Sequence, residues 1–211
     1  MALVFGGLSG ALVLGLGLLD HQQDLQREAG QRQARLEGVA RTLAATIDAE
    51  LFSSFQRTDD MERPEHIRLT ETLRTARVAH DIQWLGASAV DDRGHYYFVI
   101  DGGRPPPLPV GYPIFDGVSL RDRVLQDEVV FEPAMEDEWG RWTVAMAPIK
   151  DDRGAVVGVV EVMEDAAWQE LITRRRGMQT ALLLLLTAIC SALLSAIFAR
   201  QLGGPLQPVS Y

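Results

Sequence analysis

The 211-residue chain has a single cysteine, Cys190, so an intramolecular disulfide and a cysteine-rich metal site are both excluded. Its four histidines, His21, His66, His80 and His95, include no pair at helical metal-ligand spacing, and surface or turn positions are expected for them. Gly-x-Ser-x-Gly, P-loop and His-Glu-x-x-His strings are missing, which removes the nucleophile, phosphate cradle and zinc pair of common hydrolytic and nucleotide chemistry. No catalytic residue, metal site or cofactor is therefore assigned. The acidic run Glu132, Glu136, Asp137 and Glu138 lacks the glycine-turned loop of alternating ligands that marks calcium sites, and reads as solvated surface.

Charge is also missing from both ends. Residues 1–19 contain no Asp, Glu, Lys or Arg, and residues 177–211 contain only Arg200. The segment 20–176 therefore carries 20 − 1 = 19 basic against 29 acidic residues, a net charge of −10, which repels nucleic acid.

What is there, at those ends, is apolar. Residues 2–19 form an 18-residue run whose only polar side chain is Ser9, ~27 Å long as a helix against a hydrocarbon core of ~30 Å. A cleaved signal peptide is the rival reading, but the run lacks a basic start and continues directly into a polar helical pattern at 20–35. Residues 178–199 give a second run of ~33 Å. Small residues recur four apart, Gly6 and Gly10 in the first run and Ala188, Ala192 and Ala196 in the second; they suit close helix pairing, as in a homodimer, or reflect the ordinary composition of membrane helices. Two spans put both termini on one side of a membrane and the middle on the other. Arg174, Arg175 and Arg176 would by charge bias hold the middle in the cytoplasm, although long translocated domains obey that bias poorly.

In the middle, Leu36, Val39, Leu43, Ile47, Leu51 and Phe55 are spaced by three or four, predicting one long helix over 25–55. A second helix is expected from Pro64 to about Ala79, with Ile67, Thr70, Leu73 and Val78 inward. Strands follow: 84–90 and 95–100 flank Asp91-Asp92-Arg93-Gly94, while 142–149 and 155–162 flank Asp151-Asp152-Arg153-Gly154, each Gly supplying a hairpin's positive φ. A fifth short strand is expected at 129–134 and a short helix at 120–125. Residues 102–113 hold five of the ten prolines and read as an extended loop or an edge. The expected fold class is α+β, a long N-terminal helix on an antiparallel five-stranded sheet, flanked by two transmembrane helices.

Asp137-Glu138-Trp139-Gly140-Arg141-Trp142, Ala147-Pro148-Ile149 and Asp152-x-Gly154-x-Val156-Val157-Gly158-Val159 resemble the strand, hairpin and closing strand of the Cache or PDC domain, a PAS-like extracytoplasmic sensor of bacterial receptors. Ala199-Arg200-Gln201-Leu202 followed by Pro205-Leu206 resembles the opening of a HAMP linker. The resemblance implies a transmembrane helix over 1–19, a sensor domain over 20–176 outside the cell, a second transmembrane helix over 177–199 and the start of a linker over 200–211. It implies a receptor of histidine kinase, cyclase or chemoreceptor type, and its topology overrides the charge bias. Family members that bind amino acids or amines often carry an Asp near the end of the last strand; the matching residue here is Met163, with Glu161 two residues before it. The alternative function is a membrane-anchored scaffold whose outer domain binds a partner protein.

The resemblance places a small-molecule pocket between the sheet and its covering loops, with Tyr97, Asp101, Arg104, Trp139, Arg141 and Thr143 as candidate lining residues; aromatic core packing is the other reading for each aromatic. Strand alternation sets Tyr97 opposite Tyr96 and Phe98, and groups Arg141 with Trp139 and Thr143. A guanidinium stacked on an indole there suits a carboxylate ligand, and a surface pair with Glu136 or Glu138 is its other use.

Overall fold

The computed structural model describes residues 2–103 and 106–202. It separates into two compact units, Gly30–Gln169 and a second made of Met1–Ala29 with Glu170–Tyr211. The second unit is helical, formed by the first part of α1 (Ala2–Thr46) and most of α5 (Ala166–Leu202). Within it a Cβ on Gly17 would meet Leu184 Cδ2 at 2.7 Å, so the two helices approach closely there. Among the described residues one segment, Gly177–Ile197, is long and apolar enough to cross a membrane, and none of it is buried.

In the unit Gly30–Gln169, α1 is followed by α2 (Ala49–Ser53), a 3-10 turn (Thr58–Glu62) and α3 (Pro64–Ala79). The helix expected to run unbroken to Phe55 ends instead at Thr46. Asp48 takes an extended conformation and its carboxylate accepts from the Leu51 amide at 2.9 Å, starting α2 as a separate helix. The break keeps the stripe inward: Leu36, Val39, Ala40, Leu43, Ala44 and Ile47 are buried, and Phe52 and Phe55 continue the same core. In α3, Thr70 and Leu73 are buried as expected, but Ile67 and Val78 are exposed. The inward place belongs to His66, expected at the surface. Its Nε2 lies 2.8 Å from the Val99 carbonyl, which only accepts, so Nε2 carries the proton, and Phe55 packs edge-on at 5.0 Å.

The strands are β1 (Trp84–Val90), β2 (Tyr96–Asp101), β3 (Pro113–Ile114), β4 (Val130–Asp137), β5 (Gly140–Lys150) and β6 (Val156–Asp165), with α4 (Val118–Leu125) between β3 and β4. They form one antiparallel sheet in the order β3-β2-β1-β6-β5-β4. Six strands replace the expected five because the proline-rich segment ends in Pro113–Ile114, which pairs with Tyr96 and Tyr97 as an edge. On one face Ala87, Val99, Ala145, Ala147, Val160 and Val162 pack beneath α1, α2 and α3. Gly158 admits Phe52, whose ring would sit 2.4 Å from a Cβ there. On the other face Val144, Met146, Val159 and Met163 pack with Val124 of α4.

β6 runs into α5 with no intervening residue, Asp165 being followed by Ala166. Just before that junction buried Glu164 accepts from Arg32 Nε at 2.7 Å and from Arg35 Nη2, while Arg35 Nη1 donates to the His80 carbonyl at 3.0 Å. α1 is thus tied to the end of the last strand by a carboxylate and two guanidiniums.

The two Asp-Asp-Arg-Gly hairpins are built alike. Asp91 Oδ1 accepts from the Arg93 and His95 amides, and Asp151 Oδ1 from the Arg153 and Ala155 amides, all at 2.8–2.9 Å. The His95 and Arg93 amides hold the Asp91 carboxyl below the usual range. Gly94 and Gly154 have φ of 83° and 81°. Gly154→Ala is expected to destabilise the protein by about 1–2 kcal/mol, whereas Gly38→Ala, in the middle of α1 with open space around it, stabilises it by about 0.5–1 kcal/mol. Thermal denaturation of the full chain in detergent reads both; equal signs would contradict the assignment of these backbones.

Candidate functional site

A cavity of about 360 Å³ lies on the sheet face covered by α4 and by the loops after β2 and β3, a size suited to a small ligand. Its floor is built on a charge pair. Arg121 of α4 and Glu161 of β6 are 1% and 0% exposed. Nε donates to one carboxylate oxygen at 2.8 Å and Nη2 to the other; Ser88 Oγ donates to the first, and Arg121 Nη1 to the Asp116 carbonyl. The guanidinium also lies 5.9 Å from the centre of the Tyr96 ring. Burial, then the hydrogen bond donated to Asp122 at 2.8 Å, push the Tyr96 phenol above its ordinary range.

The walls rest on two tryptophan–aspartate pairs. Trp84 Nε1 donates to Asp101 Oδ1 at 2.9 Å, the Gly103 amide donates to the same oxygen, and the Leu108 amide to Oδ2, both at 2.7 Å. Across the cavity, Trp142 Nε1 donates to Asp137 Oδ1 at 2.8 Å, which also takes the Trp139 and Gly140 amides at 2.9 Å. Each aspartate fixes an indole and ties down a loop. Gly86 leaves room for Trp84 to fold back, since a Cβ there would meet its Cη2 at 2.4 Å. An aromatic chain follows the wall, Trp84 to Phe98 at 5.4 Å, Phe98 to Tyr112 at 6.3 Å and Tyr112 to Trp139 at 6.4 Å. Met135 and Met163 complete it.

Of the residues singled out from sequence, Asp101 and Trp139 line this cavity together. Tyr97 lies on the opposite side of β2, packed with the helix-side core and bordering a second, more open hollow of about 840 Å³ beside Asp91, Asp92 and His95. Burial, then Asp91 and Asp92, raise its phenol. Arg104 is outside the described residues. Trp139 stands in the β4–β5 turn rather than on a strand, so alternation does not carry across it. Arg141 and Thr143 share the other sheet face: Thr143 is buried with Oγ1 donating to the Pro133 carbonyl at 3.0 Å, and Arg141 is exposed with Nε 3.7 Å from Glu136. Sequence reading passed over Trp84, Phe98, Arg121, Asp137 and Trp142 for the cavity. The available signal was Glu161, the one charge in the apolar stretch 156–163 of β6, which has to find a buried cation.

Arg121→Ala is expected to destabilise the protein by about 3–5 kcal/mol, because Glu161 is left buried without its partner. Asp101→Ala removes the acceptor of three N–H groups and is expected to cost about 1–3 kcal/mol. Chemical denaturation of the full chain measures both, and an Arg121 variant as stable as the parent would show that the pair does not hold α4 to the sheet.

No protein-family model and no curated protein matches the chain. Solved structures similar to it include bacterial sensor domains. The ligand-binding domain of the Campylobacter jejuni chemoreceptor Tlp3 in complex with L-valine matches at 11% identity and a TM-score of 0.45, over 78% of this chain and 63% of that one. The Escherichia coli DcuS sensor domain matches at 15% identity and a TM-score of 0.47, over 71% and 93%. The GAF domain of an Acinetobacter phosphoenolpyruvate-protein phosphotransferase matches at 15% identity and a TM-score of 0.35, over 75% and 93%. The chain thus spans less than two thirds of the length of the Tlp3 domain.

Proposed function

We propose that the chain is the sensing portion of a bacterial membrane receptor, non-catalytic in itself, which binds a small molecule in the α4-covered cavity. The observation that carries this reading is the cavity: about 360 Å³, walled by aromatics, with loops pinned by Asp101 and Asp137 rather than collapsed into the core. β6, which supplies Met163 to the cavity and Glu161 as the partner of the lining residue Arg121, passes directly into α5. A change in the cavity that shifts β6 therefore has a mechanical route into the apolar helix. In this reading residues 1–19 and 177–199 both cross the cell membrane, 20–176 lie outside the cell, 200–211 begin a HAMP-like linker, and two copies pair through their helices. Phe115, 80% exposed at the cavity rim, favours the second reading of a scaffold that docks a partner protein.

Thermal-shift screening of the full chain in detergent against small carboxylates, amino acids and organic cations tests the ligand; saturation at ~100 times the dissociation constant adds about 2.7 kcal/mol of stability. No shift with any compound would favour the scaffold. For the dimer, single cysteines at Ala188, Ala192 and Ala196 in a Cys190→Ser background are expected to crosslink in native membranes, and failure at all three removes pairing through α5.

A further inference from the structure

Resting on the reading of the cavity as a ligand site, we infer that its ligand is an alkylated organic cation without N–H donors, such as a quaternary ammonium group, and not a carboxylate. Charge is the first reason. Among the described lining residues the carboxylates of Asp101, Asp116, Asp137 and Glu138 stand against one guanidinium, Arg121. That guanidinium is spent: 1% exposed, it is paired through two hydrogen bonds with Glu161 and donates a third to the Asp116 carbonyl. A carboxylate entering the cavity would meet a negative field with no cation released among the described lining residues to receive it, and would lose its hydration without return.

The state of the carboxylates is the second reason. Asp101 accepts three N–H groups across its two oxygens, and Asp137 accepts three on Oδ1. These oxygens lend charge to the cavity while their hydrogen-bonding capacity serves the loops and indoles. A primary ammonium demands three acceptors, which only carboxylate oxygens outside these bonds could supply; a trimethylammonium head demands none and needs only the field.

The third reason is the wall. The indoles of Trp84, Trp139 and Trp142 and the ring of Phe98 line the cavity, and two of the indoles donate their N–H to a carboxylate, which enriches the ring face in electron density. Ring faces in a negative field are the arrangement that recognises quaternary ammonium ions. Met163 adds polarisable apolar surface to the same wall.

The test uses the full chain in detergent, intrinsic tryptophan fluorescence and thermal shift, and four probes: choline, its neutral isostere 3,3-dimethylbutan-1-ol, ethanolamine and succinate. Choline is expected to give a saturable response, with each of the others weaker by about tenfold or more, and Trp139→Ala to weaken choline by about tenfold while Trp139→Phe restores most of it. Trp139 is 50% exposed, so its truncation should leave the unliganded melting temperature in place. Equal binding of the neutral isostere or of ethanolamine overturns the inference, as does full choline affinity in Trp139→Ala. A response to succinate alone overturns it while leaving small-molecule sensing intact, and silence toward all four overturns it too, the broader screen deciding separately whether the cavity senses any small molecule.

Discussion

A guanidinium and a carboxylate withdrawn together from water, Arg121 and Glu161, fix one face of this sheet. Neither tolerates its place alone: an unpaired charge among Val144, Val159 and Met163 would be strongly unfavourable, so α4 must dock wherever Arg121 can reach β6. The pair adds little net energy over a well-packed apolar contact, but it leaves one arrangement of helix on strand. With α4 so placed, the loops after β2 and β3 have a rim to close against, and the space between them becomes the cavity. The opposite face owes its order to ordinary packing, where alanines on β5 and α1 allow close approach under Leu36 and Phe52.

Much of the scaffold was legible because its signals are local. The repeated Asp-Asp-Arg-Gly turns announce two hairpins, and proline at the first position announces α3, which the structure places at the expected residues. The two-residue strand β3 was not legible, since it exists only as a partner for Tyr96 and Tyr97 and its own sequence is proline-rich. The break at Asp48 was overlooked because the apolar spacing runs on through it, and spacing reports which face is buried rather than whether the axis is continuous.

The site was less legible than the scaffold, for a physical reason. Alternation divides a strand into two faces but does not say which face a helix will cover; Tyr97 fell on the face taken by α1 and Phe98 on the open one. Counting alternation through the turn at Trp139 reversed Arg141 and Thr143 in the same way. Asp101 lines the cavity, and its hold on the loop depends on an amide seven residues away, at Leu108, that no spacing rule reveals. Arg121 sits in a short, polar helix that resembles any solvated connection until its partner on β6 is known.

The knot at Glu164 bears on how such a unit travels between proteins. Arg32 and Arg35 stand just after the boundary at Gly30, and Glu164 just before the one at Gln169, so the entering and leaving chain are fastened side by side. A piece whose two ends emerge together can be spliced into a foreign helical stalk without stretching either junction. The same adjacency makes the unit a natural cassette for chimeric proteins, with the cut placed outside the three-residue clasp so that the graft carries its own fastening.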